Sequence, residues 1–101
     1  MHIAVVNFRL KDLSHEQFTA ICEELAPAYA ATPGLLSKVW LSDPTGNVYG
    51  GVYTWDDRSA FRAFTASELA NAVVTHPNFT ELVIKDFAVL EGPTRVTRGV
   101  R

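Results

Sequence analysis

Apolar residues run almost without interruption through His2–Arg9. A short Ile- and Val-rich run bounded by polar residues predicts a strand, and its near-continuous apolarity predicts that both faces are covered. The period then changes. Ser14 with Gln17 three residues on has the form of a capping box. Phe18, Ile21, Cys22, Leu25 and Ala28 follow at helical spacing on one stripe. Pro27 falls inside this pattern and predicts a kink or the end of the regular helix, because it lacks an N–H and clashes with the preceding turn. Pro33-Gly34 closes the segment. Leu35–Leu41 predicts a second strand, Asp43-Pro44-Thr45-Gly46 a turn, and Asn47–Trp55 a third strand, so these two form a hairpin. Alternation puts Tyr49, Gly51, Tyr53 and Trp55 on one face of the third strand and Val48, Gly50, Val52 and Thr54 on the other. Asp56 or Asp57 caps a second helix, whose buried side carries Ala60, Phe61 and Phe64. Beyond a break that Ser67 restarts, Leu69, Ala72 and Val73 continue it. His76-Pro77-Asn78 ends this helix. Thr80–Leu90 reads as a fourth strand with Leu82, Ile84 and Asp86 on one side and Val83, Lys85, Phe87 and Val89 on the other. Gly92-Pro93 begins a tail.

Strand, helix, strand, strand, helix, strand is the order of two interlocked split βαβ units. It predicts an α+β fold, the ferredoxin-like βαββαβ sandwich, with one antiparallel sheet carrying both helices on one face. The 101 residues make a single domain, 1–101, with 91–101 as its C-terminal tail. Such a chain buries only about two-thirds of its unfolded surface. The first and third strands are apolar on both faces, and no helix is left over for the outer face. A second copy is the simplest cover, so a homodimer is expected.

Composition narrows the function. With 48% hydrophobic and 20% charged residues the chain is globular, and a net charge of -2 gives no pull toward nucleic acid or an anionic membrane surface. The three arginines of Arg95–Arg101 read as a solvated basic tail. The one cysteine, Cys22, allows neither an internal disulfide nor a cysteine metal cluster and fits a reducing cytoplasm. Met1–Leu10 has no signal-peptide pattern, and no run approaches the ~20 apolar residues of a membrane helix, so a cytoplasmic location is expected. His2, His15 and His76 lack metal-ligand spacing, and there is no Gly-rich phosphate motif, P-loop or nucleophile elbow. Kinase, zinc-enzyme and serine-hydrolase chemistry are set aside, and no metal is expected.

Three stretches carry a resemblance: Thr32-Pro-Gly-Leu-Leu-Ser-Lys-Val-Trp40, Gly50-Gly-Val-Tyr-Thr-Trp-Asp-Asp-Arg-Ser-Ala60, and Lys85-Asp-Phe-Ala-Val89. Together they resemble the dimeric α+β barrel superfamily that includes the antibiotic-biosynthesis monooxygenases, and within it the YdhR-type monooxygenase branch. The resemblance implies two facing sheets, one per subunit, with a small-molecule pocket between sheet and helices. It also implies a monooxygenase that needs no cofactor and acts on a small aromatic or quinol-like substrate. A non-catalytic small-molecule-binding dimer, and a lactone isomerase or decarboxylase on the same fold, are the rival readings.

Oxygenation without a cofactor needs an electron-rich ring, help in deprotonating it, and a dry aromatic cavity. The residue types that meet this need are Asn7, Trp40, Tyr53 and His76 as catalytic candidates, with Lys38, Trp55 and Phe64 as substrate-binding ones. An amide orients a carbonyl or peroxide, flat rings stack on a flat substrate, and Lys or His moves a proton or steadies negative charge. Each has a plainer reading. Trp40 and Trp55 suit a core or interface, Tyr53 a buried ring with a satisfied hydroxyl, and Lys38 a side chain that snorkels to water. His76 suits a helix end, and Asn7 a hydrogen bond at a strand edge. The haem-degrading branch of the superfamily offers a second resemblance, through Asn7 on the first strand and His76 near the second helix. Phe64, however, stands where that branch has a Trp, and the spacing to His76 is longer and followed by Pro77. The cofactor-free reading therefore leads.

Overall fold

The computed structural model describes residues 1–99. The chain runs β1 (His2–Leu10), α1 (His15–Ala30), β2 (Leu35–Asp43), β3 (Val48–Trp55), α2 (Arg58–Thr65), α3 (Glu68–Val74), β4 (Phe79–Ala88) and α4 (Glu91–Val96). Its sheet has the order β2-β3-β1-β4 with every neighbour antiparallel, the ferredoxin-like arrangement. The cap residues explain where the helices begin. Ser14 accepts the Gln17 N–H while the Gln17 side chain accepts the Ser14 N–H, Asp57 accepts from Ala60, and Ser67 accepts from Ala70.

The register sorts the sheet into two faces. On the helix-covered face His2, Ala4, Val6 and Phe8 of β1 lie beside Tyr49, Gly51, Tyr53 and Trp55 of β3, all buried. Phe18 and Tyr29 of α1, Phe61 and Phe64 of α2, and Ala70 of α3 close over them. The other face is open. There Val39, Val52, Val5 and Lys85 form one row across the strands, with Asn7 and Val83 in the next row and Ile3 and Phe87 in another. Val39, Phe87 and Val83 are 58%, 55% and 49% exposed, an apolar patch without a cover among the described residues.

Four local expectations are corrected. Pro27 neither ends nor breaks α1, which continues to Ala30. Only three residues follow it, it lies on the exposed side, and the single donor it lacks would have met a solvent-facing turn, while its own carbonyl accepts the Ala31 N–H at 3.1 Å. Tyr29 rather than Ala28 is buried at the end of that helix, and in α3 Ala70 rather than Ala72. The segment expected as tail begins with a helix, α4. Pro93 sits in its first turn, where a missing N–H costs nothing, and Leu90 caps it instead of extending β4. The Met1 amino group reaches Glu91 at 3.5 Å, and neither α4 nor its ends lie among the core residues. Of the basic tail, Arg95 and Arg98 fall within or beside this helix, and Arg101 lies outside the described residues. No described helix is long and apolar enough to cross a membrane.

Candidate functional site

Gly50 and Gly51 prepare the site from beneath. Gly50 has φ 151°, and a Cβ there would stand 1.8 Å from the Val6 carbonyl oxygen, so the strand pairing itself requires glycine. Gly51 faces the helices opposite Trp40 of β2. A Cβ there would meet Lys38 Cε at 3.0 Å and the Tyr53 ring at 3.3 Å. The side chain that Gly51 lacks is the space that Lys38 occupies.

β2 is an edge strand, and alternation points Lys38 and Trp40 to its helix side, opposite Tyr53 and Gly51. The Lys38 Nζ lies 3.3 Å from the Trp40 ring centroid, 3.4 Å from that of Tyr29 and 4.6 Å from that of Tyr53. Tyr29 meets Trp40 edge to face at 5.3 Å. Among the described residues Lys38 makes no ion pair, so three π faces rather than a carboxylate hold its amine. Burial pushes its pKa down to about 7, opposed weakly by the nearby Cys22. Burial likewise raises Tyr53, with the Tyr29 phenol adding to it, and raises Tyr29 and Cys22. Near neutral pH the surroundings are therefore a thiol and two phenols, all uncharged, around an amine poised between its two forms.

Space lies on both sides of this box. A cavity of about 30 Å³ beneath α1 is lined by Phe8, Phe18, Cys22, Tyr29, Lys38 and Trp40. A second, of about 50 Å³, lies between the sheet and α2–α3, against Ala4, Val6, Phe61 and Phe64. Tyr53 and Val73 line both and divide them. Each has room for only a few waters. Along the seam between α1 and β2, two open grooves of about 290 and 300 Å³ flank Trp40. One runs past Ala26, Tyr29, Leu36 and Lys38, the other past His15, Thr19, Cys22 and Ser42.

Of the residues singled out from sequence, Lys38, Trp40 and Tyr53 come together. Phe64 packs against Tyr53 at 5.6 Å and Tyr29 at 5.9 Å and lines the larger cavity. Trp55 is 0% exposed and stacks parallel to Tyr53 at 6.1 Å, and its indole Nε1 has no partner among the described residues. It is a core ring behind the box and lines neither cavity. His76 also stands apart. Its ring stacks on Phe79 at 4.1 Å and its Nδ1 accepts the Asn78 N–H, so it is one ring removed from the smaller cavity that Phe79 lines. Asn7 is not in the box. Strand alternation turns it to the open face, where its amide donates to the Tyr49 carbonyl at 3.5 Å. Asn7 follows two inward and two outward apolar neighbours, and composition alone could not assign its face.

Tyr29 and Cys22 are the site residues that the sequence reading did not single out as chemistry. Tyr29 was legible: Phe18, Cys22, Leu25 and Tyr29 continue one helical stripe past the proline. Two further polar pairs lie on the helix side of the sheet, His2 Nε2 with the Asp86 carboxylate at 2.6 Å and His15 Nδ1 with the Tyr49 hydroxyl at 3.0 Å.

The four-stranded antiparallel sheet of order β2-β3-β1-β4 with its helices gives the chain the ferredoxin-like fold, which solved structures described as antibiotic biosynthesis monooxygenases share. The family described as "Putative mono-oxygenase ydhR" matches residues 3–100, and the chain belongs to that family. Solved structures similar to it share the fold. A "putative antibiotic biosynthesis monooxygenase" from Deinococcus radiodurans has TM-score 0.71 at 18% identity, over 88% of this chain and 92% of the other. The N63A mutant of SnoaB, a cofactor-independent oxygenase from Streptomyces nogalater, has TM-score 0.68 at 24% identity, over 88% and 93%. The haem-degrader MhuD from Mycobacterium tuberculosis, with two haems bound in its active site, has TM-score 0.71 at 20% identity, over 89% and 96%. No curated protein matches the chain.

The residues present do not fit haem in the way the second sequence resemblance implied. Asn7 and His76 lie on opposite sides of the sheet, and the His76 Nδ1 is engaged by its own turn.

Proposed function

We propose that this protein is a cofactor-independent monooxygenase that works as a homodimer in the cytoplasm on a small aromatic or quinol-like substrate. The observation that carries this reading is the box of Tyr29, Trp40 and Tyr53 around the Lys38 amine, open to a groove large enough for a flat ring system. Ring faces stack on the substrate and exclude water. The amine supplies the one charge that an electron-rich anion needs beside it. The reaction on an anthrone then balances without an added reductant. The ring methylene gives up its two hydrogens, one oxygen atom of O₂ becomes the new carbonyl, and the other leaves as water. SnoaB, of like fold, is described as a cofactor-independent oxygenase, which supports the reading. The open, apolar sheet face supports the dimer.

Oxygen uptake by the purified protein, without flavin, metal or haem, against anthrones and hydroquinones tests it. One oxygen molecule consumed per product, above the autoxidation blank and much reduced in Trp40→Ala, is the expected result. Uptake no faster than the blank across the panel overturns the oxygenase reading.

A further inference from the structure

We infer that the apolar cavity under α2 and α3 is a docking site for dioxygen, entered at the seam between α3 and β4 and passing the gas toward Lys38 by way of Tyr53 and Val73. The inference rests on the oxygenase reading for the gas it names. It goes beyond that reading by giving the second reactant a site and an entrance of its own.

The sequence leaves this space open. Among the described residues the buried core is built of rings except for Val6 and Ala4 on β1 and Ala70 on α3. All three of these smaller side chains line the cavity. The Ser67 cap restarts the chain after α2, so two short helices rather than one long one lie over this part of the sheet, and Phe61 and Phe64 of the first wall one side. A void in a core costs stability, because its walls lose packing partners. A larger residue at either alanine would fill it. A space held open against that cost calls for an occupant.

The lining selects which one. Carbon faces the cavity almost everywhere. The Thr65 hydroxyl is turned to the Arg62 carbonyl at 2.7 Å, and the Tyr53 phenol lies against that of Tyr29. A buried water needs two to four polar partners, which these walls do not offer, so the cavity is dry. At about 50 Å³ it is also too small for a ring system, since a cavity that takes benzene measures about 150 Å³. A two-atom apolar molecule fits, gives up no strong hydrogen bonds on leaving water, and gains contacts with every wall. Of the dissolved gases, dioxygen is the one that the proposed reaction consumes.

The two ends of the cavity give it a direction. At one end Val74 and Ile84, 55% and 43% exposed, form an apolar mouth where α3 faces β4. At the other, Tyr53 and Val73 also line the space that holds Lys38 and Trp40. Rotation of the Val73 side chain is the smallest motion that joins the two spaces. A flat ring seated in the α1–β2 groove covers the Trp40 side, and a gas arriving from behind meets it without competing for the same entrance.

Dioxygen is paramagnetic and reports its own position without turnover. Methyl-labelled protein is equilibrated under pressurised oxygen with no ring compound present, and proton relaxation is compared with that under nitrogen at equal pressure. The methyls of Ala4, Val6, Ala70 and Val73 are expected to show an oxygen-induced relaxation about threefold or more above that of half-buried Leu13 and exposed Val39. Ala70→Met fills the cavity and should bring Ala4 and Val6 down to the level of Leu13. Ala70→Val, a gentler filling, should lower them part of the way should the larger side chain prevent folding. Uniform relaxation across buried and exposed methyls, a maximum elsewhere, or unchanged Ala4 and Val6 in a folded variant would each overturn the inference. During anthrone oxidation Ala70→Met is expected to raise the KM for dioxygen about fivefold or more with the KM for the anthrone unchanged. An unchanged KM for dioxygen would overturn it as well. Localised relaxation without oxygen uptake on any ring compound would sink the oxygenase reading and leave the gas site standing. Uptake with no localised relaxation would do the reverse.

Discussion

Lys38 and Trp40 are two residues apart on β2, and the Lys38 Nζ stands 3.3 Å from the centroid of the Trp40 ring. The pair shares one face because strand side chains alternate. It fits because Gly51, opposite Trp40 on β3, contributes no Cβ to the space Lys38 fills. A local i, i+2 relation on an edge strand thus sets an amine against an aromatic wall at the mouth of the sheet–helix layer.

That placement carries a pH signature. The unfolded chain keeps the Lys38 proton to about 10.5, whereas the folded chain releases it near 7, so between these values the unfolded state binds more protons. Stability therefore rises with pH in this window. The raised Cys22 thiol acts in the opposite direction above its ordinary 9.0, which leaves pH 7–9 as the range where Lys38 dominates. Denaturant titrations should show a gain of about 1–2 kcal/mol from the lower to the upper end, after allowance for partial solvent screening, and Lys38→Met should flatten it. An equal slope in the variant would mean that the amine is not held as described.

The two adjacent glycines should answer differently to alanine. At Gly50 the added Cβ would meet the Val6 carbonyl oxygen at a positive φ, so Gly50→Ala is expected to cost about 4 kcal/mol or more and to leave little folded protein by circular dichroism. At Gly51 the first obstacle is the flexible Lys38 stem at 3.0 Å, with the Val39 carbonyl oxygen at 3.2 Å and the Tyr53 ring at 3.3 Å just behind it. Gly51→Ala should fold, lose about 1–2 kcal/mol, and bind aromatic ligands more weakly because the amine is displaced.

The two tryptophans should likewise separate. Trp55 is buried completely among Tyr53, Phe61 and Phe64, and its truncation to Ala should cost about 3–5 kcal/mol in a thermal or denaturant melt. Trp40 is only half-buried and walls the grooves, so Trp40→Ala should cost about 1–2 kcal/mol while removing most ligand affinity. Equal costs would make Trp40 a core residue.

Self-association is tested on the open face. Light scattering should give about twice 11.1 kDa for the parent chain. Val52→Lys, in the middle of the Val39–Val52–Val5 row, should give the monomer mass at micromolar concentration with its secondary structure intact. A parent chain that runs as a monomer would remove the dimer from the account.

The fold was legible because period and punctuation agreed. Ser14 and Ser67 mark helix starts with a cap that satisfies an orphan N–H, and Tyr49, Gly51, Tyr53 and Trp55 alternate with the pleat. A proline's position within a helix matters more than its presence. Pro27 lies on the exposed side near the end of α1, and Pro93 lies in the first turn of α4. The site was legible in part. Strand alternation correctly joins Lys38, Trp40 and Tyr53 once the hairpin register is known, but the face of Asn7 and the isolation of Trp55 depend on three-dimensional neighbours. Residue type alone carries no information about either.

The most direct measurement is where a substrate-like ring binds. Backbone and indole amide signals of isotopically labelled protein, followed during anaerobic addition of 1,8-dihydroxyanthrone, should move first at Tyr29, Lys38, Trp40 and Tyr53 and leave Asn7, Val5 and Val83 in place. Shifts centred on the open sheet face around Asn7, with the α1–β2 seam unchanged, would contradict the account.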